Sequence, residues 1–294
     1  MKQSNRLRIA MQKSGKLSEG SIDLMKKCGL SVLESKTQLL SRVQELPIDI
    51  LLVRDNDIPS FVSEGVCDAG IVGENVYKEF ILSSNYSKYS RIIEFLGFSR
   101  CRLSIAIPEN IQYSTLSDLN GLKIATYYTG ILKDFLESNN INAEIVKMQG
   151  SIEVAPHMNI SDAICDIVCT GVSLESNGLK EILTLMKSQA ILIGNTEINE
   201  DKQQILDKLL KRMKGVLSAR ESKYIMLNAY RKDLKAITRL LPGAESPTIL
   251  QLEDQDKVAI HAVCLEPVFW ETMEKLKQAG ASSILVVPIE KMMS

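Results

Sequence analysis

Short apolar runs that end at polar loops and lead into amphipathic segments fill the first half of this 294-residue chain, and that alternation restricts it to the α/β class. Leu7 to Met11 reads as a strand, Gln12-Lys13-Ser14-Gly15-Lys16 as the loop after it, and the segment from about Ser18 to a stop at Gly29 as a helix. Ile48 to Val53 is a second strand, ending in the charged loop Arg54-Asp55-Asn56-Asp57. Val66 to Val72 is a third, ending in Gly73-Glu74-Asn75 and a further helix.

The spacing Cys67-Asp68 to Gly73 recurs as Cys165-Asp166 to Gly171, with an apolar filling both times, and suggests two similar lobes that each present a loop to a shared cleft. Arg100 to Pro108 reads as the strand that crosses into the second lobe, Leu116 to Gly121 and Leu122 to Thr126 continue it, and Ile191 to Ile193 marks the return. Asp201 to Leu217 carries Ile205, Leu206, Leu209, Leu210, Met213, Val216 and Leu217 on one face, a long amphipathic helix whose stripe belongs to a core or an oligomer interface. Beyond it, strands at Tyr224 to Ala229, Thr248 to Leu252, Val258 to Val263 and Ser283 to Val287 alternate with helices at Lys232 to Leu241, stopped by Pro242-Gly243, and at Pro267 to Ala279. That β-α-β-β-α-β order is a ferredoxin-like unit. The expected division is lobe I at 1–100 and 188–223, lobe II at 101–187, and the ferredoxin-like domain at 224–294.

Composition narrows the function classes. The 35 basic and 36 acidic side chains leave no global field for nucleic acid or an anionic membrane, and 5% aromatic residues argue against a base-stacking surface. Six cysteines without a C-x-x-C pair read as free thiols in a reducing compartment, and two histidines, His157 and His261, exclude a His-rich metal centre. The N-terminus has no apolar signal region and the chain no uninterrupted apolar stretch of about 18 residues, so the expectation is a cytoplasmic protein.

The chemistry concentrates between Glu153 and Leu174. An acidic residue, Asp166, ends an apolar run, and Thr170-Gly171-Val172-Ser173 then leads toward a helix. Carboxylates accept hydrogen bonds from ribose hydroxyls, Gly171 lets main chain approach a ligand, Thr170 and Ser173 add hydroxyls, and a helix start favours an anion. The layout suits a phosphoribosyl ligand. On spacing alone, the same residues equally describe a buried strand and a Ser-capped turn.

Several segments together are similar to one family: Leu7 to Leu17, Pro47 to Pro59, Gly70 to Asn75, Asp162 to Leu174, Ala219 to Met226, Pro242 to Ile249 and Gly280 to Met292. In this order they resemble the long form of ATP phosphoribosyltransferase, the first enzyme of histidine biosynthesis, essentially end to end. The resemblance implies a glycosyltransferase that joins ATP to phosphoribosyl pyrophosphate with Mg²⁺ present. It implies a two-lobed core like that of periplasmic binding proteins, and an ACT-like regulatory domain that binds histidine as feedback inhibitor. It also implies a homo-oligomer, dimer and hexamer, with no nucleic-acid or membrane partner. By the same resemblance Asp166 and Glu153 face the ribose hydroxyls, and Thr170, Gly171, Val172, Ser173 and Leu174 form the 5-phosphate loop. Lys13, Gly15, Lys16 and Arg54 serve the polyphosphates, with Arg54 on the leaving group, and Asp68 and Gly73 line the nucleotide side. Asn228, Thr248, Ala281 and Ser282 match the histidine site, while the metal ligands stay unassigned.

Three departures stand out. His157 replaces an arginine after Glu-Val-Ala-Pro, Ala125-Thr126-Tyr127-Tyr128-Thr129 replaces Ala-Thr-Ser-Tyr-Pro, and Lys16 replaces an arginine, losing its bidentate fork. Lys13 and Lys16 also read as solvated loop charges, and Arg54 as a surface partner of Asp55 or Asp57. The alternatives are a two-lobed cytoplasmic metabolite sensor without catalysis and a phosphoribosyltransferase for another nucleobase.

Overall fold

A computed structural model describes residues 5–32, 39–83, 89–220, 222–241, 246–265 and 269–292, in two compact units, Met1–Leu206 and Asp207–Ser294. In the first unit the chain runs β1 (Leu7–Gln12), α1 (Lys16–Lys27), β2 (Leu40–Arg42), β3 (Ile48–Val53), α2 (Ile58–Ser63), β4 (Ala69–Gly73), α3 (Glu74–Ser83) and β5 (Ser90–Phe95). It continues through β6 (Cys101–Pro108), β7 (Lys123–Thr126), α4 (Thr129–Ser138), β8 (Glu144–Lys147), β9 (Ala163–Val168), α5 (Val172–Ser176) and β10 (Leu179–Ser188), then returns with β11 (Ala190–Asn195). The helix α6 (Glu200–Arg220) follows.

Among the described residues of this first unit two sheets result, ordered β2-β3-β1-β4-β11-β5 and β10-β6-β9-β7-β8. The chain passes between them twice, after β5 and after β10, so the α/β expectation of two lobes is borne out. β1 is parallel to β3 and β4 and is buried along most of its length, as a strand covered on both faces must be. β11 runs antiparallel to β4 with Ala190 opposite Gly73, and β6 antiparallel to β9 with Arg102 opposite Val168. Both crossings therefore enter where parallel strands end, and the C-terminal edges of the two sheets face one cleft.

The helix after β1 starts at Lys16 rather than near Ser18, because Gly15 takes φ 95 and turns the chain early. Lys16 thus sits in the first helical turn. β10 was not foreseen. It pairs with β6 through two irregularities, at Glu181/Leu183 and Thr184/Met186, and those irregularities break the strand's alternation. On α6, Leu206, Leu209, Met213 and Val216 are buried, as its stripe predicted.

The second unit holds β12 (Ser222–Tyr230), α7 (Leu234–Leu240), β13 (Thr248–Gln251), β14 (Lys257–Leu265), α8 (Phe269–Gln278) and β15 (Ser282–Pro288). Its sheet, ordered β13-β14-β12-β15 and antiparallel throughout, is the ferredoxin-like arrangement. Ile225, Leu227 and Ala229 of β12 pack with Ile237 and Leu276 of the two helices, and Asn228 alternates to the other face. The expected stop at Pro242-Gly243 and the helix start at Pro267 lie outside the described residues. No described helix is long and apolar enough to cross a membrane.

Candidate active site

Loops from the strand ends of both sheets wall a cavity of about 500 Å³. The first sheet supplies Arg54, Asp55, Asn56 and Asp57 after β3. The second supplies Tyr127 and Tyr128 after β7, Gln149 to Ile152 after β8, and Asp166 from β9. A cleft beyond the carboxyl ends of parallel strands is where open α/β sheets place ligands. The two walls feel each other. Burial pushes the Tyr127 hydroxyl above its usual range, and the carboxylates of Asp55, Glu79 and Asp57 push the same way. An adjoining cavity of about 450 Å³ shares Arg54, Asp55 and Asp57 and adds Gln12, Lys13 and Ser14.

Asp166 is half-buried, and desolvation raises its carboxyl above the ordinary aspartate value; Glu153, in the turn after β8, adds repulsion in the same direction. One oxygen accepts the Ile167 amide at 2.8 Å. A carboxylate held at such a cost in a cleft is an acceptor awaiting donors. Arg54 is exposed, and no described carboxylate pairs with it, so the surface pairing with Asp55 or Asp57 is not formed. Arg54 and Asp166 thus line the same cavity, a fork of donors and a carboxylate from different sheets.

The loop after β9 turns at Gly171, whose φ of 90 lies in the left-handed region, and α5 follows. Leu174 is buried against Ala106, Ile164 and Val168, so it anchors the turn and reaches a ligand only through its main chain. Thr170, Val172 and Ser173 are exposed and are not among the residues that line the cavity. His157 is spent on this turn's far end, with Nε2 at 2.8 Å from the Asn177 carbonyl.

Other predicted residues stand apart. Lys13 lines the adjoining cavity, while Gly15 and Lys16 start α1 and line neither. Gly73 ends β4, and a Cβ there would meet Asn75 Oδ1 at 2.6 Å. Asp68 is a correction. It precedes β4, at the edge of the sheet opposite the cleft, where it accepts the Arg8 amide at 2.8 Å and pairs with Lys202 at 2.9 Å. The repeated Cys-Asp spacing misplaces it, because Asp166 lies inside its strand and Asp68 outside.

Sequence reasoning also missed the floor of the cleft. Ser151 adopts φ 48 directly after Gly150 at φ 76, a double left-handed turn that bends Gln149 to Ile152 into the cavity. The signal available was Gln-Gly-Ser closing an apolar strand. In the second unit Asn228 and Ser282 are register partners, with Ser282 Oγ donating to the Asn228 carbonyl at 3.3 Å, and Ala281 is buried. Thr248 is exposed on β13, two strands from Asn228.

Comparison with known proteins bears on this geometry. Residues 54–215 match the family described as ATP phosphoribosyltransferase, and residues 219–291 match its C-terminal domain. An ATP phosphoribosyl transferase (HisG:HisZ) complex from Thermotoga maritima is similar in fold. Its TM-score is 0.59 at 24% identity, covering 71% of this chain and 96% of that one. A putative periplasmic sulfonate-binding protein from Methylobacillus flagellatus KT gives a TM-score of 0.46 at 15% identity, over 70% of this chain and 66% of its own. The first family model spans more than half of the chain, carries Arg54 and Asp166 inside it and is followed by the C-terminal domain, so this protein belongs to the ATP phosphoribosyltransferase family, in its long form.

Proposed function

We propose that the cleft binds ATP and phosphoribosyl pyrophosphate and that Arg54 and Asp166 face the two ends of the reacting sugar. The observation that carries this is their presence, from different sheets, in the wall of one cavity. Asp166, with Glu153 beside it, accepts hydrogen bonds from the ribose hydroxyls. The amides of Gly171, Val172 and Ser173 and the hydroxyls of Thr170 and Ser173 take the 5-phosphate. A ring nitrogen of adenine attacks the anomeric carbon as the carbon–oxygen bond to diphosphate breaks, and the bonding pair leaves with that oxygen. The chemistry requires no protein nucleophile. It requires alignment and a partner for the charge that develops on the leaving group, which Arg54 supplies as a bidentate donor and Lys13 supports from the adjoining cavity.

Magnesium fits this donor set. Among the described residues there is no group of three or more metal-ligating side chains, yet this ion keeps waters and substrate oxygens and needs only one or two carboxylates. Asp55 and Asp57 in the cavity wall would hold it, where it neutralises diphosphate charge. Histidine feedback at Asn228, Ala281 and Ser282, a dimeric and hexameric assembly, and a cytoplasmic setting complete the reading. With neutral Asn228 the inhibitor's amino group gains a hydrogen bond without a charge. Thr248 would join that site only at its margin.

The test is to mix the protein with ATP, phosphoribosyl pyrophosphate, Mg²⁺ and a pyrophosphatase and follow phosphoribosyl-ATP by absorbance, with and without histidine. Product formation that Arg54→Ala abolishes supports the reading. An active Arg54→Ala enzyme removes that residue from the site.

A further inference from the structure

Four cysteines, Cys28, Cys67, Cys165 and Cys264, are buried, while Cys169 is exposed and Cys101 half-exposed. The two accessible thiols are neighbours. On the antiparallel pair β6 and β9, Ala106 stands opposite Ile164, Leu103 opposite Ile167 and Arg102 opposite Val168. One more step in that register sets Cys101 opposite Cys169. Both line a separate cavity of about 470 Å³, together with Glu74, Arg100, Arg102 and Lys187. Directly opposed residues on antiparallel strands have Cα atoms about 4.5–5.5 Å apart. A disulfide spans about 4.4–6.8 Å, so backbone spacing already suits one. The thiols also sense each other, since Cys169 adds to burial in pushing the Cys101 thiol upward.

We propose that Cys101 and Cys169 form a reversible oxidation site, in which a hydroperoxide joins the two sulfurs and the joined form slows the transferase. The Cys169 sulfur attacks one oxygen of hydrogen peroxide. The oxygen–oxygen bond breaks, one water leaves, and a sulfenic acid remains. The Cys101 sulfur attacks that sulfur, the sulfur–oxygen bond breaks and a second water leaves. Two thiols are oxidised and one peroxide is reduced, giving a disulfide and two waters. A dithiol reductant reverses the bond through a mixed disulfide.

The position explains the effect on rate. Cys169 immediately precedes Thr170-Gly171, and Cys101 opens the strand by which the chain enters the second sheet. Opposed Cβ atoms about 4.5–5.5 Å apart must close to about 3.8 Å, drawing the base of the loop toward β6. The consequence for rate rests on the phosphate-loop reading above.

The experiment treats reduced full-length protein with hydrogen peroxide, blocks it with N-ethylmaleimide and digests it without reductant. The expected result is a peptide pair linked through Cys101 and Cys169, two of the six thiols lost, and a rate lower by about tenfold that dithiothreitol restores. Cys169→Ser should start at the full rate and keep it through the treatment. Cys101→Ser should stop at a sulfenic acid that dimedone traps. Linkage through another pair, no linkage, or a linked enzyme of unchanged rate overturns the proposal. In that last case a raised KM in Gly171→Ala leaves the phosphate loop standing while the switch falls.

Discussion

Glu79 Oε1 accepts the amide of Gly130 at 2.8 Å, so a carboxylate on a helix of the first sheet caps a helix of the second. Oε2 accepts the Ile131 amide at 2.9 Å, and Thr129 Oγ1 donates to Oε1 at 3.2 Å. Tyr128, at the cap position of α4, offers no side-chain bond there, so Glu79 satisfies amides that would otherwise lack an acceptor. The approach needs Gly130, since a Cβ would sit 3.0 Å from Leu82 Cβ and 3.2 Å from Glu79 Oε2. Tyr128 completes the contact by accepting Asn75 Nδ2 at 2.8 Å, while Asn75 Oδ1 accepts the Ser188 hydroxyl at 2.8 Å. These contacts form a latch between the lobes, to which Thr129, in place of the proline, adds a hydroxyl. Glu79→Ala should lower unfolding stability by about 1–2 kcal/mol, read from urea midpoints. An unchanged midpoint would mean that the latch contributes nothing.

Arg54 faces the cavity unpaired, and its value lies in two parallel donors. Arg54→Ala should reduce kcat by about 10²–10³, the loss expected for one donor to developing charge. Arg54→Lys keeps the charge but not the fork and should recover only part of that loss. Full recovery in the lysine variant would reduce the role of Arg54 to simple charge.

Gly171 holds φ 90 with nothing within 4 Å of the position a Cβ would take, so any cost of substitution is conformational rather than steric. Gly171→Ala should cost about 1–2 kcal/mol in loop strain. The KM for phosphoribosyl pyrophosphate should rise and the KM for ATP should not. Equal changes in both would place the loop elsewhere than at the 5-phosphate.

The Arg102–Glu181 pair, Nε to Oε1 at 2.7 Å, predicts a pH dependence. The hydrogen bond from Arg102 leads in bringing the Glu181 carboxyl down to about 2. A lowered acid stabilises the fold above its unfolded value, near 4.5, and loses that contribution as pH falls toward about 2. After screening, the contribution is on the order of 1 kcal/mol or less. The stability gap between wild type and Glu181→Gln should therefore be present at neutral pH and vanish across that acid window. A gap that persists at pH 2 would contradict the assignment.

Much of the frame is legible in sequence because strongly buried strands carry their own signal. Leu7 to Met11 and Ile48 to Val53 are apolar but for Arg8 and Asp49, and the β-α-β-β-α-β order is punctuated by its turns. β10 escaped because Leu-Lys-Glu-Ile-Leu-Thr-Leu-Met-Lys-Ser mixes exposed and half-buried positions around two irregularities, which erase the period of two. For the site, Arg54 and Asp166 meet in one cavity as their loop and strand ends suggested. Asp68 does not, because spacing reports neither where a strand begins nor which sheet edge a residue occupies. Gln149 to Ile152 were missed because Gln-Gly-Ser marks a turn without showing that a left-handed Ser151 carries it into the cleft.

Asp166 decides the account. Equilibrium titration of wild type and Asp166→Ala with phosphoribosyl pyrophosphate should show affinity lower by about tenfold or more in the variant, the cost of losing a charged acceptor for ribose hydroxyls. The ligand-free variant should be no less stable, since an ionised Asp166 is held against desolvation. Unchanged affinity in a folded variant would contradict the claim that the sugar lies against β9.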